Sequence, residues 1–175
     1  MGLRSNANTA VEWFVNRAGI NAFGGRAPEV RPERLVFVCT GNICRSAYAE
    51  AVARSLGFEA VSAGVDTTPG LPAYPQTIVE AQARGLDLTS HRTTAWSDLE
   101  LRPGDLVLPA QLHHFLAVRP RVRDEGCQAV LMSHFCGNPF SVVRDPYGRD
   151  EAVFREVFDL IDRVVHGLHQ KWGVG

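Results

Sequence analysis

The chain has 175 residues, 45% of them hydrophobic, enough for one compact domain with a proper core. Its net charge of −1 gives no global attraction for nucleic acid or an anionic membrane, and no run approaches the roughly 18 apolar residues of a membrane span. Four cysteines (Cys39, Cys44, Cys127, Cys136) are too few for a secreted disulfide scaffold, and the N-terminus lacks the pattern of a signal peptide, so a reduced, cytoplasmic protein is expected.

Residues 1–33 read as an N-terminal extension, with Thr9-x-x-Glu12 as a capping box and Val11, Phe14, Val15 and Ala18 on one face of a short helix. The run Phe23-Gly24-Gly25-Arg26-Ala27-Pro28 then breaks the helix and serves as a linker. From Leu35 the chain alternates strand and helix. Leu35 to Val38 is a buried strand, Ala47 to Leu56 a helix stopped by Gly57, and Ala60 to Ala63 a second strand. Thr77 to Arg84 is helical, Ser97-x-x-Glu100 signals a further helix start, and Leu106 to Leu108 is a third strand. Gln128 to Met132 is a fourth. Phe154, Val157, Ile161, Val164 and Leu168 recur at helical spacing and mark the core face of a final helix. This alternation predicts a single α/β domain over residues 34–175: a four-stranded parallel sheet with helices on both faces and its ligand beyond the strand ends.

The loop after the first strand carries the chemistry. Cys39-Thr40-Gly41-Asn42-Ile43-Cys44-Arg45-Ser46 runs from a strand end into a helix start, with Gly41 and Asn42 where a tight loop needs unusual backbone angles. Such a loop turns backbone N–H groups inward, and the helix dipole favours an anion there. Arg45 adds a two-pronged grip on an oxyanion, and the same positive field favours a nucleophilic thiolate at Cys39. The octet resembles the signature of the low-molecular-weight protein tyrosine phosphatases. The resemblance covers about Arg34 to Trp172 and implies a phosphocysteine mechanism without metal or cofactor.

Such a mechanism also needs a proton donor for the leaving phenolate. Arg144-Asp145-Pro146-Tyr147-Gly148 is by itself turn chemistry, yet it is similar to the acid-bearing segment of the same family and falls before the last helix. The resemblance implies Asp145 as general acid and base, Tyr147 and Ile43 as walls of the substrate pocket, and Ser62 and His91 as loop supports beside Asn42 and Ser46. It also implies that Cys44 can pair with Cys39 under oxidation. Cys127 and Cys136 are expected to be small buried residues. The expected partner is a phosphotyrosine protein; bacterial members of the family suggest, by analogy, a tyrosine kinase of polysaccharide export.

The chain departs from the family pattern in places. Pro109-Ala110-Gln111 replaces a methionine and an acidic residue, Asp66-Thr67-Thr68-Pro69-Gly70 lacks a tryptophan, and Gly148 stands where some members have a second tyrosine. A protein-arginine phosphatase shares the scaffold, but such enzymes tend to carry threonine where this chain has the bulkier Ile43, which suits an aromatic ring. Thiol-dependent arsenate reduction needs a cysteine pair that the stretch from Leu108 to Arg123 does not hold. A zinc site from Cys39 and Cys44 with His113, His114 or His134 would set a cation beside Arg45. A non-catalytic phosphate-binding module would be expected to lack the thiol or the acid.

Overall fold

The computed structural model describes residues 27–138 and 141–173. The predicted N-terminal helix lies outside them. Four parallel strands form one sheet in the order β2-β1-β3-β4: β1 (Arg34–Cys39), β2 (Ala60–Gly64), β3 (Asp105–Pro109) and β4 (Gln128–Ala129). The crossover helices are α1 (Arg45–Ser55), α2 (Pro75–Ala83) and α3 (Leu112–Asp124), and α4 (Glu151–Trp172) closes the chain. β4 is shorter than the predicted Gln128 to Met132, and a 3-10 turn, Met132–Phe135, begins where that prediction ends.

β1 is buried along its whole length and its side chains alternate between two cores. Leu35, Phe37 and Cys39 face a large cluster built with α1, α2 and α4, whereas Val36 and Val38 pack with Val107, Val118 and Val122 under α3. The first core is locked by Tyr48 of α1, which stacks on Phe158 of α4 at 3.9 Å and donates to Asp162 Oδ1 at 2.7 Å. Asp150 caps α4 by accepting from the Val153 N–H. At the start of the sheet Arg34 grips Asp105 with two bonds of 2.9 and 2.6 Å across the β1–β3 pair, both residues buried.

Two further expectations are corrected. No helix follows Ser97, because Ala95 bridges to Gly64 and the Trp96 N–H is spent on the Gly64 carbonyl; only a turn remains. Cys127 and Cys136 are half-buried rather than buried, their thiols donating to the Arg102 and Ser133 carbonyls.

The strand order sets the site. β2 lies on one side of β1 and β3 on the other, so the chains leaving β1 and β3 diverge and open a crevice at their carboxyl ends. The loop after β1 and the first turn of α3 line it.

Candidate active site

Cys39 ends β1 with its thiol at the floor of the 40–44 loop, 2% of the residue exposed. Its Sγ accepts from the Asn42 backbone N–H at 3.3 Å and lies 3.1 Å from Ser46 Oγ. Asn42 holds the loop in shape. Its φ of +54° is left-handed, which asparagine tolerates better than most residues, and it is wholly buried. Its amide donates to Ser46 Oγ at 2.9 Å and Ser62 Oγ at 2.7 Å, and its oxygen accepts from the Thr94 N–H at 2.8 Å. His91 Nε2 donates to its backbone carbonyl at 2.7 Å.

Hydrogen directions follow from this inventory. Ser62 donates to Glu50 Oε2 at 2.5 Å, so its oxygen is left to accept from Asn42. Ser46 likewise accepts from Asn42, and its own hydrogen has two acceptors in reach, the Cys39 sulfur at 3.1 Å and the Ala63 carbonyl at 3.5 Å. Glu50, held by Arg54 at 2.9 Å, anchors the chain of bonds that ends at the thiol. Sequence reasoning missed Glu50; its place one turn past Ser46 on α1 was the available signal. Gly64 is a second residue that sequence reasoning missed. A Cβ there would stand 2.6 Å from the Thr40 carbonyl oxygen and 3.0 Å from the Asn42 nitrogen, so the loop rests directly on that glycine.

Arg45, the first residue of α1, is 1% exposed. One terminal nitrogen donates to Gln111 Oε1 at 2.5 Å and to the Val143 carbonyl at 3.3 Å. The other lies 3.0 Å from Asp145 Oδ2 and 3.4 Å from Thr40 Oγ1. Asp145 sits at the mouth with its side chain half exposed, and its other oxygen accepts from the Tyr147 N–H. The Tyr147 ring is exposed and leans on Tyr74 at 5.0 Å. Cys39, Thr40, Ile43, Arg45, Asp145 and Tyr147, with Gly41 and Cys44, line one cleft of about 190 Å³.

Burial, above all, pushes the Cys44 thiol up to about 12, so Cys44 stays protonated at neutral pH. Burial, with the Arg45 and His113 charges adding to it, pushes His114 down to about 2 and holds it neutral. Ser62 and His91 both hydrogen-bond to Asn42. Gln111 and His114, by contrast, reach the loop from α3, an element no sequence signal announced. Among the described residues no group of three or more His, Cys, Asp or Glu is placed to hold a metal ion.

A parallel α/β sheet with a buried thiol under an arginine-and-amide cradle defines an oxyanion-handling enzyme of the cysteine phosphatase class. The family model for low molecular weight phosphotyrosine protein phosphatases matches residues 34–173, and the chain belongs to that family. A probable low molecular weight protein-tyrosine-phosphatase, EpsP of Ralstonia nicotianae, is 29% identical over 136 residues, covering 75% of this chain and 90% of its own. The tyrosine phosphatase Wzb from Escherichia coli K30, solved with sulphate, superposes with a TM-score of 0.68 at 28% identity, over 77% of this chain and 94% of that one. The YwlE arginine phosphatase from Geobacillus stearothermophilus is similar to the same degree, with a TM-score of 0.69 and 26% identity over 80% and 92%. The protein is a phosphoric monoester hydrolase of the tyrosine phosphatase type.

Proposed function

We propose that this enzyme cleaves phosphotyrosine in proteins through a phosphocysteine on Cys39. The Cys39 sulfur attacks phosphorus while Arg45 and the loop N–H groups hold the equatorial oxygens and their developing charge. The phosphorus–oxygen bond to the phenol breaks and Asp145 gives its proton to the departing oxygen. Asp145 then takes a proton from water, which attacks phosphorus and frees Cys39. The observation that carries this reading is the shared cleft: about 190 Å³ lined by thiol, guanidinium and carboxyl, with the thiol accepting the Asn42 N–H and lying 3.1 Å from the Ser46 hydroxyl. The Asp145–Arg45 contact of 3.0 Å supports it as well, since a phosphoryl dianion competing for the guanidinium releases the carboxyl toward the leaving group.

Ile43 and Tyr147 on the cleft wall favour an aromatic ester. The partner class is a tyrosine-phosphorylated protein, with a bacterial tyrosine kinase of polysaccharide export as the candidate by analogy. The catalytic unit is residues 34–175, preceded by the 1–33 extension, and a cytoplasmic setting suits its free thiols. Among the described residues no helix is long and apolar enough to cross a membrane.

Phosphate release from phosphotyrosine, phosphoserine and phosphoarginine peptides tests the reading, with Cys39→Ser and Asp145→Asn beside the wild type. Release from phosphotyrosine alone, no activity in Cys39→Ser and a loss of about 10²- to 10⁴-fold in Asp145→Asn are expected. A preference for phosphoarginine would move the enzyme to the arginine phosphatases, which the similarity to YwlE makes the second reading.

A further inference from the structure

The crevice between β1 and β3 holds an arrangement that the mechanism above does not use. His114, in the first turn of α3, is wholly buried, and its Nε2 lies 2.8 Å from Thr40 Oγ1. Arg45 donates to that same hydroxyl oxygen from 3.4 Å. The other ring nitrogen, Nδ1, is buried with no hydrogen-bond partner.

A neutral imidazole carries one N–H, and its position decides where the Thr40 hydrogen goes. With the proton on Nδ1, a buried N–H would have nothing to receive it, the kind of orphaned donor that folded proteins rarely keep. With the proton on Nε2, the unpartnered atom is only a lone pair. The Nε2 tautomer is therefore favoured, and His114 donates to Thr40. Both lone pairs of the Thr40 oxygen are then filled, one by His114 and one by Arg45. The remaining hydroxyl hydrogen must point elsewhere, and Thr40 lines the 190 Å³ cleft.

We propose that His114 is a positioning residue that turns the Thr40 hydroxyl into the cleft, as a donor to the bound phosphoryl group. The assignment rests on the phosphatase reading for its role in turnover, but anion binding tests it separately. His114 lies outside the cleft lining, so it orients the donor before the anion arrives.

Calorimetric titration with inorganic phosphate measures the donor whether or not the protein turns over phosphotyrosine. Thr40→Val, which keeps shape and removes the hydroxyl, is expected to weaken phosphate binding about tenfold, and Thr40→Ser to restore it to within about twofold. His114→Phe should weaken binding to a similar extent. The double variant should be little worse than either single one, because both substitutions remove the same bond. Melting temperatures of all variants separate this from a packing defect. Wild-type phosphate affinity in Thr40→Val overturns the proposal, as do losses that multiply in the double variant. Should His114→Phe fail to fold, His114→Gln takes its place in the cycle. If phosphate binding follows the expected pattern while wild type leaves phosphotyrosine intact, the phosphatase reading fails and the donor assignment stands.

Discussion

Single contacts set the shape of the phosphate loop, and Gly64 is the most constrained of them. It ends β2, and the Thr40 carbonyl and Asn42 nitrogen occupy the space where a side chain would begin. Gly64→Ala therefore has to move the loop, since the β1–β2 ladder behind it holds the strand in register. A displacement of even part of an ångström tilts the N–H groups away from the anion. The expected result is a fall in kcat/KM of about a hundredfold, with a loss of about 1–3 kcal/mol in stability. Steady-state kinetics beside a thermal melt checks this; an active but poorly folded variant would contradict it. The residues proposed for the chemistry were legible because their types are few and their spacing tight. Glu50 and Gly64 were less so, because their importance lies in what crosses over them from other parts of the chain.

At the scale of elements, the strands and three of the helices could be read from the sequence, α4 most clearly through its apolar periodicity, and α3 could not. Its buried positions, His114, Phe115, Val118 and Val122, do follow a helical face. Pro120 within Arg119-Pro120-Arg121 hides them, because proline removes a donor and clashes with the carbonyl four residues earlier. The helix tolerates it because that carbonyl belongs to Leu116, which lies on the exposed side at 49%. Packing of α3 over β1 and β3 outweighs the local penalty. Pro120→Ala should then stabilise the protein by about 1–3 kcal/mol, seen as a rise of several degrees in Tm, with kcat unchanged. A lower Tm would mean that the proline ring itself is part of the packing. β4 was overestimated for the opposite reason. Its apolar run continues past Ala129 to Met132, but pairing with β3 ends once the Val130 N–H has met the Val107 carbonyl, and a 3-10 turn opens at Met132.

Across the whole molecule, the site's needs appear in how stability depends on pH. His114 is neutral in the folded protein because burial, Arg45 and His113 all oppose its charge, holding its pKa near about 2 against an ordinary value of 6.5. In the unfolded chain it binds a proton as pH falls through about 6.5. The unfolded state therefore holds more protons between the two values, and stability falls as pH drops below 6.5 while remaining intact above it. From pH 7 to 5.5 the expected loss from this one residue is about 1 kcal/mol. His134, also lowered by burial and by Lys171, acts in the same direction, so the comparison must be with a variant rather than with a baseline. Urea unfolding of wild type and His114→Phe over pH 5.5–7.5, above the range where ordinary carboxylates titrate, isolates the contribution. The two curves should converge toward acid, wild type losing about 1 kcal/mol more than the variant. Parallel curves would mean that His114 takes up its proton in the folded state. In that form it would add a second positive charge beside Arg45, behind the phosphate loop, with its Nδ1 hydrogen left without an acceptor.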